Sequence, residues 1–380
     1  MRIGKRRAQS PRSVLTPVVV AILSLLAPAS HAQSSVMLYG IIDTGVEYIN
    51  NTGSGSLARV VSGNIAGSRW GMKGSESLGG DLSAIFTLEG GFTANDGQMS
   101  QSTKGLGTNP TTTTRLFGRQ AFVGLRKGSQ QVTLGRQNSL EYEETVLFDP
   151  MGAAPRYSGF AIDYDWTGRV DNSVKYNGSF GPVSVAGMFS TRYDTGYGAE
   201  VPGAQTTGRF YSGSMNFAQG PVAATVLYEQ RNSNTVQTAT SSERRIFAAA
   251  SYDIGPVRAM AGWRFLKADT AFLPAGPVLA SPGSTAGYAS LFWGGARYRI
   301  TPALQFSAVA YYQDVHRASS SSLMGVVSAD YSLSKQTDVY ATVGYAKNDS
   351  RANLGLNGYG SSIATGYSQT GAVVGIRQRF

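Results

Sequence analysis

Cysteine is absent from this 380-residue chain, so no disulfide framework, thiolate nucleophile or Cys-ligated zinc can be built. Histidine is scarce, with only His31 and His316. That inventory cannot supply a transition-metal centre, and no cofactor is expected. Calcium on clustered loop carboxylates is the one metal chemistry left open, without a specific signal. Glycine-rich strings such as Gly53-Ser54-Gly55 lack the Lys-Ser/Thr of a phosphate-binding loop. Charged residues are 15% of the chain, below the roughly 25% of soluble domains. Beyond the first thirty-odd residues no apolar run is long enough for a spanning helix.

The N-terminus reads as a secretory leader. Arg2, Lys5, Arg6, Arg7 and Arg12 form a basic region, an apolar stretch runs from Val14 to Ala27, and Ser30-His31-Ala32 offers a cleavage site. Residues 1–32 are thus expected to be removed, leaving 33–380 as a single domain. Their loss takes five basic and no acidic residues, lowering the formal charge from +10 to +5, with 28 basic against 23 acidic residues. Much of the basic character leaves with the leader, so no nucleic-acid partner is expected.

What remains is rich in short alternating segments. In the last one, Ala372, Val374, Ile376 and Phe380 share a face while Arg377 and Arg379 take the other. Side chains of a strand flip face at every residue, so one side can meet lipid and the other water. The same dyad appears in Val36, Leu38, Ile42, Val46 and Tyr48 against Tyr39, Asp43 and Glu47, and again in Val222–Tyr228 and Leu304–Tyr312. Seven short turns, such as Gly128-Ser129, Gly181-Pro182, Gly220-Pro221 and Gly255-Pro256, alternate with eight longer polar loops. The count predicts an all-β fold: a 16-stranded antiparallel transmembrane β-barrel, short turns at one end and long loops at the other. A bore of that size holds an aqueous channel. No helical periodicity of useful length is read in the mature region.

Several strings are similar to those of the general trimeric porins of Gram-negative outer membranes, of the β-proteobacterial type. They are Val36-Met37-Leu38-Tyr39-Gly40-Ile41-Ile42-Asp43, Ser68-Arg69-Trp70-Gly71-Met72-Lys73-Gly74-Ser75-Glu76, Gly118-Arg119-Gln120-Ala121-Phe122-Val123-Gly124-Leu125, Leu134-Gly135-Arg136-Gln137 and the closing Gly375-Ile376-Arg377-Gln378-Arg379-Phe380. The resemblance implies a homotrimer in the cell outer membrane, contacting lipid that includes lipopolysaccharide. It also implies recognition of Phe380 by the barrel assembly machinery, and a third extracellular loop folded inward. Ions and small hydrophilic solutes would cross passively. The loop here has Leu147-Phe148-Asp149-Pro150-Met151-Gly152 where enterobacterial porins carry Pro-Glu-Phe-Gly.

Loop 138–167 is about thirty residues long, a length uncommon without function, and it carries Glu141, Glu143, Glu144 and Asp149. Alternation turns Arg69 and Lys73 to the lumen, opposite Trp70 and Met72. Arg119, opposite Phe122 in parity, is also read as inward, and Arg136 and Arg169 flank the loop. The resemblance implies that Arg69 and Arg119 line a constriction facing the loop acids, with Arg136 and Arg169 as further candidates for the same basic wall. A basic wall predicts a weak anion preference, with Asp43, Glu47, Glu89 and Glu229 opposing it. The rival readings are a substrate-selective channel, a non-conducting barrel, or an outer-membrane hydrolase built around His316. Nothing besides abundant serine marks a nucleophile for the hydrolase.

Overall fold

A computed structural model describes residues 34–100, 115–152, 154–162, 168–269, 287–316, 320–356 and 363–380. The leader reading on residues 1–32 lies outside the described residues, as do parts of the second, third, sixth, seventh and eighth long loops.

Sixteen strands follow one another around the sheet. The first five are β1 (Ser34–Ile49), β2 (Leu57–Ser62 continued by Arg69–Gly79), β3 (Leu82–Phe92), β4 (Met99–Ser100 continued by Gln120–Lys127) and β5 (Gln130–Asn138). Next come β6 (Arg169–Phe180), β7 (Val183–Ser190), β8 (Phe210–Gln219), β9 (Val222–Asn232), β10 (Ser242–Ile254) and β11 (Val257–Ala268). The last are β12 (Gly287–Arg299), β13 (Leu304–His316), β14 (Ser320–Ser332), β15 (Thr337–Asn348) and β16 (Gln369–Arg379). Each pairs antiparallel with the next, and β1 closes on β16 from Ile41 opposite Arg379 to Ile49 opposite Gly371. Closure leaves no strand edge to satisfy, the condition for a sheet to stand in lipid.

The two faces meet different surroundings, as the alternation demands. On β1, Val36, Leu38 and Val46 are more than 60% exposed, whereas Asp43 and Glu47 are fully buried. On β16, Val374 and Ile376 are exposed while Val373 is buried. Exposed aliphatic side chains on the outer parity are what a lipid-facing wall requires. The tight turns fall where the Gly-Ser and Gly-Pro pairs placed them. Gly128, Gly181, Gly220 and Gly255 all adopt a positive φ near 60°, which suits a two-residue hairpin between twisted strands.

β2 is interrupted because residues 63–68 leave the sheet and wrap the Asp43 carboxylate. Its oxygens accept the N–H groups of Asn64, Ile65 and Ala66 at 3.2, 3.1 and 2.8 Å, and the Tyr340 hydroxyl at 2.6 Å. Asp43 is thus an internal anchor rather than an open lumen charge. At the other end of the wall, Phe380 exchanges both backbone hydrogen bonds with Gly40 (3.0 and 3.1 Å), and its ring covers that glycine.

Candidate pore constriction

The loop between β5 and β6 contains a helix that was not expected: α1, Leu140–Phe148, followed by a single turn, α2, Gly159–Ile162. Ser139 caps α1 by accepting the Tyr142 N–H at 3.2 Å, and Glu141 and Glu143 sit in the first turn. Both features favour a helix start. Its buried residues are Leu140, Glu141, Glu144, Thr145 and Phe148. Two carboxylates lie on the packed face, so no apolar stripe marks the helix in the sequence.

Those carboxylates are buried because the wall supplies partners. Arg245 of β10 donates to Glu141 at 2.6 Å, and Arg264 of β11 lies 3.6 Å from its other oxygen. Asn216 of β8 donates to Glu144 at 2.7 Å, and Lys175 of β6 to Glu143 at 2.7 Å. Further along, Trp293 of β12 donates to the Phe148 carbonyl at 3.0 Å. Arg297 donates to the carbonyls of Asp149 and Pro150 at 2.6 and 2.9 Å. The Tyr311 hydroxyl on β13 reaches the Asp149 carboxylate at 2.7 Å. Tyr157 then donates to Glu47 of β1 at 2.9 Å. Gly344 and Gly371 leave room for this side chain, since a Cβ would lie 2.7 Å from its ring at the first and 2.7 Å from its hydroxyl at the second. The loop therefore leans on the inward-parity side chains of the wall from β6 round to β1.

The basic residues singled out in the sequence take other partners. Arg69 and Arg119 share Glu89, at 3.6 and 2.6 Å, and Tyr39 donates to the same carboxylate at 3.0 Å. Arg169 lies over the Tyr142 ring at 5.3 Å, and Lys73 over the Tyr39 ring at 5.4 Å. Arg136 pairs with Asp171 and donates to the Gly118 carbonyl at 2.8 Å. The structure gathers Arg69, Arg119 and Arg169 around Tyr142 of α1, while the loop acids turn to the wall beyond it. Burial would raise the Tyr142 hydroxyl, but Arg119, Arg169 and Arg69 hold it below its usual value. Burial pushes Asp149 up to about 6 against the Tyr311 and Met151 hydrogen bonds, and raises Glu144 as well.

Strand alternation does not turn Arg119 inward. β4 resumes at Gln120, and the register sets Phe122 opposite Thr87, which in turn opposes Lys73. Phe122 therefore faces the lumen. Arg119 reaches Glu89 from the residue just before the strand, where alternation does not apply. Trp293, Tyr311 and Arg245 were not read as loop partners, since their positions carry no local signal.

His316 ends β13 rather than lying in a loop. Its Nε2 is 3.1 Å from the Ser290 hydroxyl and its Nδ1 3.3 Å from Asp314. Ser290 is paired in register with Phe265 on one side and Asp314 on the other. The flanking amides are therefore committed to the sheet rather than gathered as an oxyanion hole.

Comparison with known proteins decides the family. Residues 18–351 match the Gram-negative porin family. The chain belongs to it. This porin is 29% identical over 379 residues to outer membrane porin protein 32 of Delftia acidovorans, covering 96% of this chain and 99% of that one. Among solved structures it resembles an anion-selective porin from Comamonas acidovorans, with TM-score 0.76, 24% identity, and coverage of 92% and 100%. It also resembles a trimer form of the in-vitro folded OmpT of Vibrio cholerae, with TM-score 0.62, 14% identity, and coverage of 91% and 99%. The protein is an outer-membrane diffusion channel.

Proposed function

We propose that this porin passes small hydrophilic solutes and ions with a preference for anions, and that loop 139–168 narrows its bore. One repeated arrangement carries the reading: a carboxylate held between two guanidinium groups. Glu89 sits between Arg69 and Arg119, Asp171 between Arg115 and Arg136, and Glu141 between Arg245 and Arg264. Glu47 sits between Arg59 and Arg156, and Asp338 between Arg377 and Arg379. The Glu89 and Glu47 trios each keep one positive charge, whereas Arg115 also meets Asp194, Arg377 also meets Asp330 and Arg245 also meets Glu243. Of the acids that opposed anion preference in the sequence, Glu47 and Glu89 are taken up by these partners, Asp43 is wrapped by backbone amides and the Tyr340 hydroxyl, and Glu229 is buried in the wall. Within a narrow bore, screening over about 8 Å leaves such residual charge felt by passing ions. The anion-selective neighbour from Comamonas acidovorans supports the same direction.

Arg69, Lys73, Arg119, Arg136 and Arg169 then form the basic side of the constriction. Glu141, Glu143, Glu144 and Asp149 hold the loop that bounds it. The remaining expectations stand as part of the same proposal: a cleaved leader over residues 1–32, a homotrimer, lipopolysaccharide around the outer face, and Phe380 as the handle for barrel assembly. No hydrolysis is assigned to Ser290, His316 and Asp314. Reversal potentials across a potassium chloride gradient test the main reading. Anions should carry the larger share of current, and a potential of the cation-selective sign would refute it.

A further inference from the structure

A second feature of the lumen lies on β1–β5, away from the loop acids. The register stacks inward residues in rows across these strands. Tyr39, Gly71, Glu89 and Gln120 form one row; Met37, Lys73, Thr87 and Phe122 form the next; Ser35, Ser75 and Ile85 belong to a third. Rows are two residues apart, about 7 Å along the strands. The second row is therefore one step from Glu89 toward the short turns.

Here the wall departs from the polar lining expected of a water-filled barrel. Met37, Ile85 and Phe122 are apolar, yet they share the inward face with Lys73 and line a cavity of about 340 Å³. Two cations, Lys73 and Arg126, border the same cavity. Among the described residues neither has a carboxylate within ion-pair distance. The Lys73 ammonium lies over the Tyr39 ring, and Arg126 reaches only the Ser75 hydroxyl, at 3.5 Å. Arg59, Arg119, Arg136, Arg245 and Arg377 are clamped on acids, whereas these two charges remain available. An apolar floor flanked by two available cations complements a solute that is itself half apolar and half anionic. Chloride would use the cations alone, and a neutral aromatic would use the floor alone.

We propose that this cavity binds small organic carboxylates with an apolar body, aromatic monocarboxylates above all. The ring lies against Phe122 and Ile85, and the carboxylate meets Lys73 and Arg126. Such a site makes the channel slow and enrich one class of solute in passage while staying weak enough to release it, as conduction demands. The inference rests on the protein being an open channel, and chloride conductance is therefore read first.

The test uses the full-length protein in planar bilayers in potassium chloride, titrated with benzoate, acetate and benzyl alcohol. Benzoate should reduce the current at a concentration at least tenfold below acetate, with benzyl alcohol weaker than benzoate. Phe122→Ser should bring the ratio of benzoate to acetate half-blocking concentrations close to one. Ile85→Thr makes the same test should Phe122→Ser fail to assemble. Lys73→Gln with Arg126→Gln should raise the benzoate half-blocking concentration at least fivefold. Equal block by benzoate and acetate overturns the proposal, as does equal block by benzyl alcohol or an unaltered ratio in the Phe122 and Ile85 variants. Absence of chloride conductance would instead defeat the porin reading itself.

Discussion

Replacing Glu141 with Gln should undock the third loop without disturbing the barrel. The Glu141 carboxylate accepts from Arg245 at 2.6 Å, lies 3.6 Å from Arg264, and all three side chains are no more than 1% exposed. Removing one member of a buried charge set costs about 3–5 kcal/mol, because the remaining charges lose compensation. Arg245 retains Glu243 at 2.8 Å, and the amide oxygen can still accept one bond, so the lower end applies. A loss of about 3 kcal/mol is roughly a 150-fold change in a local equilibrium. Hydrogen exchange of the α1 amides should therefore quicken by about two orders of magnitude. Strand amides should keep their rates, since the closed ladder does not depend on the loop. Single-channel records should show added open-state noise and a larger mean conductance. A cycle with Arg245→Met isolates the pair, and its coupling should exceed about 1 kcal/mol. Unaltered exchange across 140–148, or equal acceleration of loop and strands, would refute the clamp.

Arg69→Ala and Arg119→Ala should each move the reversal potential toward non-selectivity, with Arg119 giving the larger shift because it lies nearer to both Glu89 and α1. Glu89→Gln should move it the opposite way, and a shift of the same sign would leave Glu89 as scaffold alone. Asp149 titrates near 6 in the docked loop, above the usual 3.8. The docked form therefore holds its proton more tightly, and this contribution is full at low pH and lost as pH rises through about 6. Acidifying from pH 7 to 5 should slow α1 exchange after correction for the intrinsic rate, and Asp149→Asn should remove the dependence. Gly262→Val places a methyl-bearing carbon inside the Trp293 ring position. It should cost about 1–3 kcal/mol by overpacking, and would be read as a lower melting temperature with faster exchange at Phe148 and Asp149.

The strands were legible because a period of two is local: Val36 to Tyr48 declares its faces without any neighbour. The tight turns were equally plain, since Gly128, Gly181, Gly220 and Gly255 must enter a conformation other residues resist. What failed was also physical. Parity misplaced Phe122 because it was carried back to Arg119, a residue outside the strand. Helix α1 was invisible because Glu141 and Glu144 occupy its packed face, so no continuous apolar stripe marks it. No local signal could join Glu141 to Arg245 or Asp149 to Tyr311. Those pairings span 104 and 162 residues and exist only once β16 has closed on β1. The interruption of β2 was hidden for a related reason: Asp43 looked like one more inward acid, while its carboxylate gathers a run of three amides.

The acids of this wall are better understood as clamps than as counter-charges for permeating ions. Two neighbouring guanidinium groups repel one another and would spread into the bore if left alone. A carboxylate such as Glu89 holds both at the wall, Arg119 by a charge-assisted hydrogen bond and Arg69 by a longer ion pair, and still leaves a single positive charge to act on solutes. Rigid placement matters more than the number of charges, because an arginine free to swing would bind each anion and release it slowly. The same logic extends to the loop, which is tied by buried acids as well as by apolar contacts: Leu140 and Phe148 share one buried cluster with Phe247 and Trp293 of the wall, while arginines already lining the lumen take the carboxylates. Selectivity and loop attachment thus draw on one set of side chains, and a substitution in either is expected to disturb both.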